Sequence, residues 1–217
     1  MLNMRGLLYG GLWTAFAAAL LALSGCGSDP EPTGVYIGTS LDREAPEFRL
    51  SDQHGVLVSL SQFKGSVVML VFLDPACTDI CPLTVLQLRQ AVEALGGPGA
   101  GVTTLVINTN PEARSTGDVA SAFRRWGVDS LERWHFLTGA AAELEPVWKA
   151  YGIDIAPKLG KPGEVQHTPG VFIIDQAGRT RWYVSGGVEV DDGTTAPLRD
   201  LLVRHLHDLL EPGHGPR

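Results

Sequence analysis

The sequence predicts an α/β fold in which a central mixed sheet is flanked by helices, with a short N-terminal hairpin as an extension. Two runs, the apolar "VVMLVFLD" and the β-branched "VTTLVINTN", have the length and β-branched content of fully buried strands. Each is followed by a segment of helical character, so strand and helix alternate. A later stretch, "GVFIIDQAGRTRWYVSGG", reads as two strands around an Ala-Gly turn. The length of 217 residues, with 44% hydrophobic and 19% charged, suits one domain with a packed core.

The N-terminus comes first in chain order. Arg5 precedes an uncharged apolar run from Gly6 to Leu23, and "LSGC" then brings small residues up to Cys26. The run is long enough to span a bilayer, but its ending resembles a bacterial lipobox. That resemblance implies a lipoprotein signal peptide over residues 1–25, cleavage before Cys26, and lipidation of that cysteine. The domain is then expected to be held by its lipid at the extracytoplasmic face of a bacterial membrane. Residues 26–44, rich in Gly, Pro, Ser and acidic side chains with no sustained apolar period, read as a flexible tether. The folded domain is expected over residues 45–211 and a polar tail over 212–217.

Within the domain, "FRLSDQHGVLVSL" is a hairpin around a His-Gly turn, and "SLSQFKG" a short capped turn before the first central strand. From Cys81 to Leu95, apolar residues at helical spacing (Leu83, Leu86, Leu88, Val92 and Leu95) predict a helix that stops at a Gly pair. "SAFRRWG" belongs to a second helix, "WHFLT" to a short strand, and "AAELEPVWKAYG" to a helix ending at Gly152. In "APLRDLLVRHLHDLL" the leucines line one face of a closing helix.

Composition excludes one class of partner. With 17 basic against 24 acidic residues, the net charge of −7 leaves no basic stripe to neutralise a phosphate backbone, so no nucleic acid is expected.

The chemistry concentrates in "DPACTDICP". If Cys26 is taken by lipid, Cys77 and Cys81 are the cysteines left to the domain, in a compartment where thiols oxidise unless reduced or metallated. They lie where the first central strand passes into its helix, and the exposed N–H groups of a helix start favour thiolate over thiol. Pro82 suits a first helical turn. Three readings compete. A structural disulfide would close too short a loop to contribute much stability. A redox-active dithiol and a soft-metal clip remain, and a third ligand decides between them. Of the six histidines, His205, His207 and His214 are expected at the surface, and His54 and His135 in turn or packing roles. His167 differs, because "EVQHTPGVFIID" places it in the loop entering a buried strand.

These segments together, from Glu44 onward, resemble the Sco/SenC family. C-x-x-x-C-P matches at Cys77, Cys81 and Pro82, with Asp79 where the family often has an acid. "NTNPEARST", "WHFLTG" and "QHTPGVFIIDQAG" match three further family segments in order. The resemblance implies a thioredoxin-like fold and a membrane-anchored protein that binds copper, as Cu(I) or Cu(II), through Cys77, Cys81 and His167. It further implies delivery of the metal to the dinuclear copper centre of cytochrome c oxidase subunit II or a similar acceptor, with a thiol reductant such as a thioredoxin-like protein as a second partner. Pro75 and Thr78 in "DPACTD" depart from the common family pattern and bear on the shape of the copper loop. Pro169 reads either as the cis proline of thiol-disulfide thioredoxins or as an ordinary loop proline. Peroxiredoxins share the fold, but Asp74 stands where their Pro-x-x-x-Thr-x-x-Cys motif has proline. Two alternatives to copper delivery stay open: a thiol-disulfide oxidoreductase acting through Cys77 and Cys81, and a redox or copper sensor.

Overall fold

The computed structural model describes residues 38–185 and 197–211; the expected signal peptide, Cys26 and residues 212–217 lie outside the described residues. Its centre is a mixed sheet of six strands: β1 (Thr39–Glu44), β4 (Val67–Leu73), β5 (Val102–Asn108), β6 (Trp134–Leu137), β9 (Val171–Ile174) and β10 (Arg179–Val184). They run in the order β1-β10-β9-β4-β5-β6. β4, β5 and β6 are parallel, while β9, β10 and β1 continue the sheet antiparallel. The two buried runs of the sequence are thus β4 and β5, neighbouring parallel strands inside the sheet, and all seven residues of each are buried.

Alternation along β4 divides the core. Val67, Met69, Val71 and Leu73 face a layer made by α1 (Ile80–Ala94), α2 (Thr116–Trp126) and α4 (Leu198–Leu210). Val68, Leu70 and Phe72 face α3 (Ala141–Tyr151) and a hairpin of β2 (Arg49–Ser51) with β3 (Leu57–Ser59). Each such side chain contributes roughly 1.5–3 kcal/mol when fully buried, which makes a strand covered on both faces a strong organiser. Local signals behave as expected. The Ser59 N–H donates to Gln62 Oε1 at 3.0 Å at the start of a single 3₁₀ turn, and α3 stops at Gly152, which takes the left-handed conformation at φ 68°.

Three expectations are corrected. The tether does not extend to Glu44: Thr39–Glu44 is edge strand β1, paired with β10. Its side chains are exposed apart from partly buried Leu41, and an edge strand is held by backbone ladder bonds that need no apolar pattern. In α1, Leu83 and Leu86 face solvent, and the buried face is Cys81, Val85, Leu88 and Ala91. Cys81 fixes the rotation of the helix; at 3.6 residues per turn, Leu83 and Leu86 stand about 200° and 140° round from it. His205 is not at the surface. It is buried in α4 and stacked on Trp182 at 4.2 Å between ring centroids, whereas His207 on the same helix is exposed.

The sequence also gave no sign of a second hairpin, β7 (Ile155–Pro157) with β8 (Val165–His167), which forms its own two-stranded ladder apart from the main sheet.

Candidate functional site

The site grows out of the end of β4. Asp74 to Cys77 make a tight turn, with Cys77 N–H donating to Asp74 O at 3.1 Å and Ala76 N–H to Asp74 Oδ1 at 2.8 Å. Asp at the first position and Pro75 at the second are what such a turn favours, so the departure in "DPACTD" shapes the loop through local chemistry. α1 then starts at Ile80, whose N–H donates to Asp79 Oδ1 at 2.7 Å. Cys77 therefore stands just before the helix and Cys81 in its first turn beside Pro82. Both are free thiols, 2% and 1% exposed, and Cys81 N–H points at Cys77 Sγ from 3.4 Å.

The two thiols are not equivalent. The Cys81 S–H donating onto Cys77 Sγ, helped by the backbone N–H groups of Asp79 and Cys81, outweighs burial and pulls Cys77 down to about 7. Cys81 moves the other way, because its proton is held by Cys77 and its own burial penalises a charge. Around neutral pH the pair is therefore partly ionised, with the shared negative charge centred on Cys77.

His167 is the last residue of β8 and not a loop residue. Its Nδ1 lies 3.0 Å from the Thr168 carbonyl oxygen. That oxygen can only accept, so Nδ1 carries the proton and the lone pair is on Nε2. Desolvation holds the imidazole below its ordinary pKa, which keeps it neutral. Cys77, Cys81 and His167 line one cavity of about 240 Å³, walled by Val71, Leu73, Ile80 and Leu198. The three are brought to a common space without being drawn into contact as a set. Among the described residues, the one group of three His, Cys or carboxylate side chains within 4.8 Å of each other is Cys77, Asp79 and Glu164. Both of those carboxylates are engaged by lysines: Asp79 by Lys158 at 2.7 Å and Lys161 at 2.8 Å, and Glu164 by Lys158 at 3.2 Å.

The cavity's far wall is Pro169 and Gly170. Pro169 follows a trans peptide bond, as every described residue does, and its carbonyl accepts from the Tyr183 hydroxyl. Gly170 is required where it stands: its φ is 139°, and a Cβ there would lie 2.5 Å from the Tyr183 ring. Among the other histidines, His54 is exposed and His135 is half-buried, its Nδ1 3.5 Å from Asp52 Oδ2. Neither they nor His207 approach the cysteines' cavity, and His214 lies outside the described residues.

Sequence reasoning missed the polar frame beneath the thiols. Asp74, fully buried, accepts from Ala76 N–H, from Asn110 Nδ2 at 2.8 Å and from Val165 N–H at 2.8 Å. Asn110 Nδ2 also donates to Gly163 O at 2.8 Å. Between them, Asp74 and Asn110 tie the cysteine turn to the hairpin that carries His167. Their signal was present, since polar residues directly following the central strands occupy the edge where open α/β sheets place chemistry. The segment "NTNPEARST" thus builds the frame: Asn108 Nδ2 donates to Ala113 O at 2.7 Å and to Thr138 Oγ1 at 3.1 Å.

Comparison with known proteins shows which family the chain is similar to. The sequence model of the SCO1/SenC family matches residues 38–197. A Stutzerimonas stutzeri protein named for copper binding is 27% identical over 154 residues, 69% of this chain and 73% of its own. The mitochondrial SCO2 homologue of Bos taurus is 33% identical over 165 residues, 74% of this chain and 59% of its own length. Among solved structures, apo Sco1 from Thermus thermophilus superposes with a TM-score of 0.62 at 27% identity, covering 82% of this chain and 99% of that one. Peroxiredoxin Bcp of Escherichia coli also matches, 30% identical over 129 residues, 48% of this chain and 81% of its own. That shorter match reflects the shared thioredoxin-like scaffold. The family match instead runs from β1 to the start of α4 and takes in both cysteines, His167, Asp74 and Asn110, and by it this chain belongs to the SCO1/SenC family.

Proposed function

We propose that this protein is a copper-binding factor for cytochrome c oxidase assembly, tethered by a lipid on Cys26 to the extracytoplasmic face of a bacterial membrane. It would hold copper at Cys77, Cys81 and His167 and pass it to the dinuclear centre of oxidase subunit II. The observation that carries the reading is the shared cavity, lined by two buried sulfurs and by an imidazole whose Nδ1 is already occupied. Two soft sulfur donors suit Cu(I), and the free Nε2 suits Cu(II) better than a thiolate does. Residence of copper requires the remaining thiol protons to leave, so uptake releases protons and tightens as pH rises. Delivery runs by ligand exchange, the acceptor's thiolates replacing Cys77 and Cys81 one at a time. The copper-binding name of the Stutzerimonas relative supports the metal, and the description of a solved Sco protein as a member of a family of cytochrome c oxidase assembly proteins supports the assembly role.

An anaerobic titration of the reduced protein against a competing Cu(I) chelator, and separately with Cu(II), tests the site. Wild type should bind one copper, and His167→Ala should lose the Cu(II)–thiolate charge-transfer band with a fall in Cu(II) affinity of at least about tenfold. Equal binding in both proteins would remove His167 from the ligand set. For the anchor, Cys26→Ser should move the protein from the membrane fraction towards the soluble one, or leave an uncleaved leader. Unchanged processing and membrane attachment would sink the lipidation.

The asymmetry of the thiols supports a second reading, thiol-disulfide exchange with Cys77 as nucleophile. Cys77 attacks a target disulfide, one target sulfur leaves as thiolate, and Cys81 then closes on Cys77 to release the second. The target gains two electrons and the Cys77–Cys81 pair loses them. This route needs no copper and would persist in His167→Ala.

A further inference from the structure

Cys77 and Cys81 are almost wholly buried, yet exchange with an acceptor requires its donor atoms to reach the metal they hold. Some covering segment must therefore move. Of the elements around the cavity, β4, β9 and α1 belong to the main sheet and its helical layer, but the β7–β8 hairpin pairs only with itself. Partly buried Ile155 anchors its base in the core, and Asp74 and Asn110 hold Val165 and Gly163 from below. Over the top lies a charged layer. Lys158 Nζ meets both Asp79 oxygens at 2.7 and 2.8 Å, Lys161 Nζ meets Asp79 Oδ2 at 2.8 Å, and Thr78 Oγ1 donates to Glu164 Oε1 at 2.9 Å. The two lysines and Glu164 come from the hairpin; Thr78 and Asp79 come from between the two cysteines.

We propose that Lys158 and Lys161 are positioning residues: by clasping Asp79 they close the β7–β8 hairpin, and with it His167, over the thiol pair, and copper leaves only when that clasp opens. The clasp is suited to opening because it is a network of partly exposed ion pairs, individually weak and screened by salt. It also explains why the acid between the cysteines, close as it is to Cys77 Sγ, serves as a latch and leaves the metal to the sulfurs and the imidazole. The consequence for copper rests on the function proposed above; the clasp itself does not.

The test uses the full chain in detergent, reduced and metal-free, followed by hydrogen exchange of the amides from 155 to 167. In Lys158→Met/Lys161→Met these amides should exchange about threefold to tenfold faster, while those of β4 and β5 stay unchanged. Lys158→Arg/Lys161→Arg should restore the wild-type rate. Salt of about 1 M, where the screening length is about 3 Å, should accelerate wild type and leave the Met pair indifferent. Unaltered hairpin exchange in the Met pair, or failure of the Arg pair to restore it, would overturn the clasp. In the second arm, each protein is loaded with Cu(I) and its transfer to a small chelator is timed; release should quicken in the Met pair by the factor seen in exchange. Faster exchange with unchanged release would overturn the gating. If none of the proteins holds copper, the metal reading fails, while the exchange arm still decides the clasp.

Discussion

Asp74→Ala is expected to lower stability by about 3 kcal/mol, because three N–H groups, those of Ala76, Asn110 and Val165, lose the carboxylate they donate to. The loss should also be functional. The turn carrying Cys77 and the hairpin carrying His167 are joined through this one buried side chain, so copper affinity should fall even at temperatures where the variant stays folded. Asp74→Asn should not rescue it. All three neighbours are donors, and a carboxamide turns its own N–H₂ towards one of them. Chemical unfolding of the three proteins, with copper titration of each below its transition, is the measurement. Wild-type stability in Asp74→Ala would mean that water or a rearranged Asn110 replaces the carboxylate, and that the frame is not held where the geometry places it.

Cys81→Ala should have the largest effect on metal, a drop in Cu(I) affinity of more than about a hundredfold, since even indirect supports of a ligand are worth ten to a hundred. It should also change its neighbour. In wild type, alkylation of Cys77 should rise with pH through a midpoint near 7, because the thiolate reacts and the thiol does not. Removing Cys81 removes the S–H that stabilises that thiolate, which is the largest cause of the depression. The midpoint in Cys81→Ala should therefore move up towards the ordinary thiol value of 9.0. A midpoint that stays near 7 would show that the backbone N–H groups at the helix start carry the effect by themselves. Measured rates will be slowed by burial of Cys77, but a midpoint is independent of that factor.

Much of the fold was legible because it depends on patterns of short range. β4 announces itself as an apolar run and β5 as a β-branched one, the Ser59–Gln62 pair and Gly152 mark element ends, and the Ala-Gly turn joins β9 to β10. β1 and the β7–β8 hairpin were illegible for the converse reason. They bury little, so nothing in their composition separates them from loop. The exposed leucines of α1 misled for another reason: Leu83 and Leu86 look like core residues until Cys81 fixes the phase of the helix.

What the sequence determined by itself was the pair of buried parallel strands and the order of the larger elements, and it singled out Cys77, Cys81 and His167 as the candidates for chemistry. Cys77, Cys81 and His167 are rare types in marked local contexts, and rarity can be read without a structure. The tertiary structure alone decided how those residues relate. It aimed the Cys81 S–H at Cys77 Sγ, tied up His167 Nδ1, and buried His205 against Trp182. It also joined Asp74 to Val165 and Asp79 to Lys158 across 91 and 79 residues of chain. Such contacts leave no periodic trace in the sequence, because each is a single polar pairing whose partner is chosen by where the sheet brings the chain back.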